Sequence, residues 1–163
     1  MASKKSTGQK ILFRGKNIEV EVLENYDFSK AEITFFAAGS SVARDWVPKA
    51  AKKTIVIDNS SHFRMEKDVP LVVPEVNPDS LKKHKNIIAN PNCSTIQLVL
   101  VLKPLHDEYK INRIIVSTYQ AVSGAGKNAE DELFDQTRNY LNGENVVSEN
   151  FTKQIAFNLI PHI

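Results

Sequence analysis

The chain has 163 residues, and its 21 basic and 19 acidic side chains give a formal net charge of +2. This near balance offers no electrostatic case for a nucleic-acid partner. The sequence also contains no apolar stretch of the roughly 18 residues that a membrane helix needs. The length suffices for one domain with its own core or for parts of two.

The cysteine content limits the kinds of site that the chain can form. Cys93 is the one cysteine in the sequence, which excludes an intramolecular disulfide and a Cys-rich metal site. The first residues lack the apolar segment of a secretory signal. We therefore expect a cytoplasmic protein without a metal site.

The first half of the chain shows a strand, helix, strand pattern after an initial hairpin. Residues 11–13 and 18–23 are typical of two strands joined by a turn, the second of them with alternating apolar and polar side chains. Residues 33–38 and 54–57 are short continuous apolar runs that flank a helical pattern at 42–53. This order indicates a parallel sheet that is buried on both faces.

Polar loops follow the two apolar strands. In open parallel sheets, ligands bind beyond the carboxyl ends of the strands. Residues 39–41 (GSS) and 58–61 (DNSS) fall at those ends. We therefore expect these two loops to line a ligand site.

The remainder of the chain is predicted to contain two more helices. A buried helix is expected over residues 96–102, and Pro104 is expected to kink or end it. An amphipathic helix is expected over residues 128–141. Further strands are predicted at residues 71–73, 87–89, 113–122 and 155–160. The fold class is therefore α/β, with a domain boundary near Cys93.

Cys93 is the sharpest chemical signal in the sequence. A lone cysteine is most often a small buried apolar residue. Cys93, however, lies in a polar loop just before a predicted helix, where amide N–H groups and the positive end of the helix dipole favour a thiolate. Position alone supports a nucleophile and a core residue about equally.

A nucleophilic thiol needs an acid or base, usually histidine, and donors for the developing oxyanion. The four histidines all occur in contexts that are typical of surface residues, although His62 follows a ligand-side loop and could approach the site: His62, His84, His106 and His162. The chain is therefore expected to carry a nucleophile without its base.

Two further side chains are candidates for substrate contacts. Arg64 follows the loop at residues 58–61, so it could offer a fork of donors to an anion, or it could pair at the surface with Glu66 or Asp68. Gln120 lies near the carboxyl end of a predicted strand, where a neutral amide could orient a substrate.

Four segments resemble motifs of the aspartate-semialdehyde dehydrogenase family. These are residues 58–61 (DNSS) with 63–65 (FRM), 69–78 (VPLVVPEVNP), 90–97 (NPNCSTIQ) and 117–126 (STYQAVSGAG), of which 90–97 resembles the active-site motif. The similarity extends over essentially the whole chain, and several long motifs in the right order are more specific than any one alone.

The resemblance implies an incomplete Rossmann-like, parallel-sheet NADP-binding domain over residues 1–92. The start of an α+β catalytic and dimerisation domain would follow over residues 93–163, with a homodimer as the full-length form. Family members have a Gly-rich phosphate loop before the segment that matches residues 1–8, and they continue past Pro161 into a segment that carries the base histidine. We therefore expect this chain alone to bind NADP poorly and to be inactive or slow.

The resemblance also implies an activity and residue roles. The family interconverts β-aspartyl phosphate and L-aspartate 4-semialdehyde with NADP and phosphate, at the branch that leads to lysine (through diaminopimelate), threonine and methionine. By resemblance, Cys93 forms the thioacyl intermediate and Gln120 helps to hold the substrate. Arg64 and Asn92 bind the phosphoryl group or free phosphate.

Cofactor contacts are implied in two places. Lys5 and Ser6 match the basic residue and the serine that hold the 2′-phosphate of NADP, with lysine in place of the more usual arginine. Lysine keeps the charge but loses the planar fork. Ser123 and Gly124 match a further cofactor contact.

Besides a redox-sensing thiol at Cys93, two alternatives remain open at this point. N-acetyl-glutamyl-phosphate reductases also form a thioester, but their cysteine motif resembles Asn-Pro-Gly-Cys-Tyr, whereas this chain has Asn92, Cys93 and Ser94. The other alternative is a truncated, non-catalytic homologue that acts as an interaction or structural module. Phosphate-dependent reduction of NADP would exclude the second alternative.

Overall fold

A computed structural model of the chain describes residues 1–161, with the exception of the Lys5 side chain. Its contacts form two compact units, Met1–Asn112 and Arg113–Ile163. The domain boundary expected between residues 92 and 93 stays a prediction.

The first unit opens with an antiparallel hairpin. Strands β1 (Lys10–Phe13) and β2 (Lys16–Glu19) pair with Ile11 opposite Ile18. Arg14 and Gly15 form the turn with φ of 48° and 76°, the left-handed pair that matches the twist of a tight hairpin. The predicted hairpin is confirmed, but its second strand lies at Lys16–Glu19 and not over residues 18–23. Every residue in the two strands is exposed.

A parallel sheet follows, with three strands in the order β3, β4, β5. These are β3 (Ile33–Phe36), β4 (Ile55–Asp58) and β5 (Ile87–Ala89). Phe36 lies opposite Asp58, and Asp58 lies opposite Ala89, so the three strands end side by side. The predicted α/β class with a parallel sheet is confirmed. The expected burial of the sheet on both faces is wrong for β3, because Ile33 and Phe35 are 50% and 73% exposed.

Helix α1 (Ser40–Ala50) connects β3 to β4 and covers the sheet. Its buried residues Ala43, Val47 and Ala50 recur at helical spacing, so one stripe of the helix faces the core. The core itself combines that stripe with aromatic and aliphatic side chains from the strands and loops: Phe28, Phe36, Val56, Phe63 and Ala89.

Helix α2 spans Cys93–Tyr109 and continues through Pro104. Of the two outcomes expected at Pro104, an end of the helix is wrong, and a kink stays a prediction. No residue of α2 is buried, so the expected burial is also wrong. The lack of burial explains the continuation through Pro104, because water can satisfy the carbonyl oxygen that a proline leaves without its N–H partner.

The second unit is built on helix α3 (Lys127–Leu141), which confirms the helix predicted at residues 128–141. The 3₁₀ turn Val122–Ala125 precedes it. The expected strands at 113–122 and 155–160 do not form within the described residues of this unit, and residues 71–73 make one isolated bridge between Leu71 and Ala89. Strand-like residues become a strand only when a partner supplies the ladder of hydrogen bonds.

No helix in the described part of the chain is both long enough and apolar enough to cross a bilayer.

Candidate functional site

The loops that leave β3 and β4 meet at the carboxyl edge of the sheet. Gly39, with φ of 85°, turns the chain from β3 into α1. The next residue, Ser40, places its Oγ 2.8 Å from the Oγ of Ser61 in the loop after β4. The two loops that were expected at this edge therefore lie in direct contact.

Asp58 fixes the loop after β4 from inside the protein. It is the last residue of the strand and is fully buried. Its carboxylate accepts hydrogen bonds from the backbone N–H and the hydroxyl of Ser60, at 3.2 and 2.6 Å. A buried carboxylate of this kind holds the polar loop in one shape, because its release would leave a charge without partners.

Arg64 binds the backbone at the ends of two strands. Its Nε donates to the carbonyl oxygen of Asn90 at 3.0 Å, and its Nη2 donates to the carbonyl oxygen of Asn59 at 3.1 Å. Asp68, one of the surface partners considered for Arg64, instead pairs with Lys85 at 3.6 Å. The two bonds use two of the five donors of a guanidinium, so Arg64 keeps donors for a bound anion.

Cys93 begins helix α2 and is exposed. It is therefore not a core residue, which removes the simpler of the two interpretations of this cysteine. Asn92 caps the helix, and its Oδ1 accepts from the backbone N–H of Thr95 at 2.9 Å. That bond uses the Oδ1 of Asn92 and not its Nδ2, and the role expected for Asn92 at an anion stays a prediction.

The proposed 2′-phosphate contacts lie near the start of the chain. Lys4–Ser6 form a 3₁₀ turn in which the backbone N–H of Ser6 donates to the carbonyl oxygen of Ser3 at 3.0 Å. Residues 3–7 (SKKST) combine three hydroxyl side chains with two lysines. This donor set fits a phosphate group. The side chain of Lys5 lies outside what the structure describes.

Gln120, Ser123 and Gly124 all lie in the second unit. Gln120 is exposed, and the backbone N–H of Gly124 donates to the carbonyl oxygen of Ala121 at 3.2 Å within a 3₁₀ turn. A Cβ atom at Gly124 would meet no atom within 4 Å, so this side of the turn is open to a ligand. The roles expected for the three residues stay predictions.

The histidines of the first unit lie in different places relative to this edge. His62 directly follows Ser61 and packs edge-on against Phe63, with ring centroids 4.6 Å apart. His84 accepts a hydrogen bond from the backbone N–H of Asn86 at the opposite end of β5. His106 is 13 residues after Cys93 on α2, or about 20 Å along the helix. His162 lies outside the described residues.

One contact at this edge was not anticipated from the sequence. The Nδ2 of Asn90 donates to the Oδ1 of Asn59 at 2.7 Å. The signal available in the sequence was an asparagine immediately after each of two neighbouring strands, β4 and β5.

Family models match both parts of the chain. Residues 1–84 match the model of the NAD-binding domain of semialdehyde dehydrogenases. Residues 102–163 match the model of the semialdehyde dehydrogenase dimerisation domain.

Individual relatives carry consistent names. Aspartate-semialdehyde dehydrogenase 2 of Vibrio cholerae is 50% identical over 166 residues, which cover 100% of this chain and 49% of that protein. The crystal structure of aspartate semialdehyde dehydrogenase II from Vibrio cholerae, complexed with ASA, superposes with a TM-score of 0.92 and 49% identity over 99% of this chain and 49% of its own. The chain spans about half the length of the curated relatives it matches.

A more distant structure was solved with a cofactor. The aspartate semialdehyde dehydrogenase from Candida albicans, with NADP, has a TM-score of 0.56 and 29% identity over 68% of this chain and 39% of its own.

Proposed function

Because the chain belongs to the aspartate-semialdehyde dehydrogenase family, we propose that it carries the nucleophile of an enzyme that interconverts L-aspartate 4-semialdehyde and β-aspartyl phosphate with NADP and phosphate. This reaction stands at the branch toward lysine, threonine and methionine. The observation that carries the proposal is the exposed Cys93 at the N-terminus of α2, at the sheet edge where Arg64 is held.

Cys93 acts as the acyl acceptor in this proposal. In the direction of reduction, its thiolate attacks the acyl carbon of β-aspartyl phosphate, a C–S bond forms and the C–O bond to phosphate breaks. The first-turn amides of α2 face the charge that develops at that carbon's oxygen. The product of this step is a thioacyl group on Cys93.

Arg64 and Asn92 receive the departing phosphate. The guanidinium of Arg64 is tied to the ends of β4 and β5, so its remaining donors are already oriented when an anion arrives. Fixed donors lower the entropic cost of binding and stabilise the charge that builds on the leaving group. Gln120 is assigned to orienting the substrate by its neutral amide.

NADP, when bound, supplies or accepts the hydride that interconverts the thioester and aldehyde oxidation levels. Lys5 and Ser6 are assigned to its 2′-phosphate, and Ser123 and Gly124 to a further cofactor contact. The hydroxyl and ammonium groups of residues 3–7 suit a phosphate. We assign the general base to none of the four histidines.

A homodimer is part of the proposal. It is supported by the match of residues 102–163 to a dimerisation domain. The direct test is the molecular mass in solution, measured by sedimentation of the purified protein as its gene expresses it.

The activity itself is tested by phosphate-dependent reduction of NADP in the presence of aspartate semialdehyde. We expect Cys93→Ser to lower kcat by at least about 1000-fold, because the nucleophile is lost. N-acetylglutamate semialdehyde serves as the competing substrate, and a higher kcat/KM with it would favour the related reductases. If the protein, folded and at the length that its gene expresses, reduces no NADP with either aldehyde, the result would favour the non-catalytic alternative. Full activity in Cys93→Ser of that same protein would exclude the mechanism.

A further inference from the structure

Asn90 is held at three points where β5 ends. Its backbone N–H donates to the carbonyl oxygen of Asp58 at 2.8 Å, and its own carbonyl oxygen accepts from the Nε of Arg64 at 3.0 Å. Its side-chain amide donates to the Oδ1 of Asn59 at 2.7 Å. Both peptide groups that flank this residue and its side chain are therefore fixed relative to β4.

The short path from Asn90 to the thiol leaves little freedom. Pro91 fixes its own φ and restricts the conformation of the residue before it. Asn92 is fixed by its cap on Thr95, and Cys93 begins the helix. The orientation of the first turn of α2 thus depends on how Asn90 is held.

We propose that the Asn59–Asn90 side-chain pair positions Cys93. The hydrogen bond of the pair holds the ends of β4 and β5 together, and so sets the direction in which the chain enters α2. Neither asparagine is assigned a contact with substrate or cofactor, so both are positioning residues. The turnover part of this inference rests on the proposed function, whereas the reactivity of the thiol does not.

Because the Asn59–Asn90 pair is exposed, its role in positioning Cys93 can be distinguished from a contribution to the stability of the fold. The bond between the two amides is exposed, and an exposed hydrogen bond adds little to stability because water replaces it. A replacement at either asparagine should therefore change Cys93 more than it changes the melting temperature.

The test uses Asn59→Ala, Asn90→Ala, the double variant, and Asn86→Gly as a matched control. Asn86 flanks the other end of β5, and its Nδ2 also donates to a backbone carbonyl, that of Ala51 at 3.0 Å. Glycine suits the φ of 62° at Asn86, so this control removes one side-chain hydrogen bond without adding backbone strain. The first readout is the rate of Cys93 alkylation by iodoacetamide at neutral pH, with thermal melting alongside it.

Each single alanine variant is expected to slow alkylation about twofold, the factor that corresponds to the low end of the net contribution of one hydrogen bond. The double variant should be no slower than the single ones, because one interaction is lost in all three. Asn86→Gly should keep the wild-type rate. Rates in the single variants that are unchanged or faster, additive losses in the double variant, or an equal loss in Asn86→Gly would overturn the proposal.

Turnover gives the second readout. With aspartate semialdehyde and phosphate, the single variants should lose kcat at nearly unchanged KM, and a loss confined to KM would contradict a role in placing the nucleophile. Absence of turnover in the wild-type protein would count only against the proposed function. The alkylation rates of the same variants would still test whether the Asn59–Asn90 pair positions Cys93.

Discussion

At the scale of single residues, Arg64 is defined by geometry as much as by charge. Its guanidinium bridges the carbonyl oxygens of Asn59 and Asn90. The ammonium group of a lysine lacks the planar fork of donors that makes such a bridge. We expect Arg64→Lys to lower kcat/KM by about 10- to 100-fold, since hydrogen bonds to a charged group are lost while the charge is kept. Steady-state kinetics with varied phosphate measure the effect.

A surface arginine provides the matched control for that prediction. Arg44 pairs with Asp45 at 2.9 Å, and both side chains are more than half exposed. Because exposed pairs of this kind contribute little, Arg44→Lys should leave kcat/KM within about twofold of the wild type. Equal effects of the two substitutions would show that the bridge formed by Arg64 has no part in the reaction.

At the scale of elements, a buried polar network ties α3 to the segment that follows it. Gln136 donates to the carbonyl oxygen of Val147 at 2.9 Å, and its Oε1 accepts from the backbone N–H groups of Ile155 and Ala156. Glu132, one turn earlier, accepts from the backbone N–H of Asn150 at 2.6 Å. These side chains satisfy the backbone N–H groups of Ile155 and Ala156 at the start of a segment that forms no strand ladder.

The network predicts how stability depends on pH. Burial alone would raise the pKa of Glu132, but hydrogen bonds from Asn150 and Glu149 lower it by more, so its pKa lies below the ordinary value. The stabilisation is therefore present above the unfolded-state pKa of about 4.3 and is lost as pH falls through the lower folded-state pKa. We expect Glu132→Gln to flatten the acid limb of a plot of melting temperature against pH.

Glu144 supplies the comparison for this effect. It is exposed and lies beyond the end of α3. Glu144→Gln should therefore keep the acid limb of the wild type. An unchanged acid limb in Glu132→Gln would mean that this carboxylate does not contribute to the acid sensitivity.

The strands and helices also show which elements the sequence could predict and which it could not. Continuous apolar runs predicted β3 and β4, and these strands form because they pair with each other inside one unit. Residues 113–122 have the same apolar character, yet no ladder forms there, because a strand depends on a partner that periodicity does not reveal. Helix α2 continues past Pro104 because an exposed helix tolerates the loss of the backbone hydrogen bond that proline cannot donate.

The candidate site divides in the same way. The meeting of the loops after β3 and β4 followed from the rule for parallel strands, and the contact of Ser40 with Ser61 agrees with it. The bond between Asn59 and Asn90 depends on the register that sets Asp58 opposite Ala89, 31 residues apart in the chain. No local pattern encodes that register.

At the scale of the whole molecule, large apolar side chains are exposed in both units. In the first unit these include Leu12 at 71% and Phe35 at 73% exposure, and in the second Ile115 at 84% and Tyr119 at 82%. Phe35 lies on β3, which has no strand on its outer side within the described residues. An apolar strand with an unpaired edge is a template for association.

We therefore predict that the 163-residue chain, expressed by itself, self-associates through the β3 edge. Phe35→Lys should reduce the association, because a charge on an edge strand opposes pairing with a second chain. Met65→Lys, at a residue that is 92% exposed and outside any strand, adds the same charge elsewhere and should have less effect. Light scattering against concentration measures the difference. A monodisperse monomer in the wild type, or equal effects of the two lysines, would place the source of association away from β3.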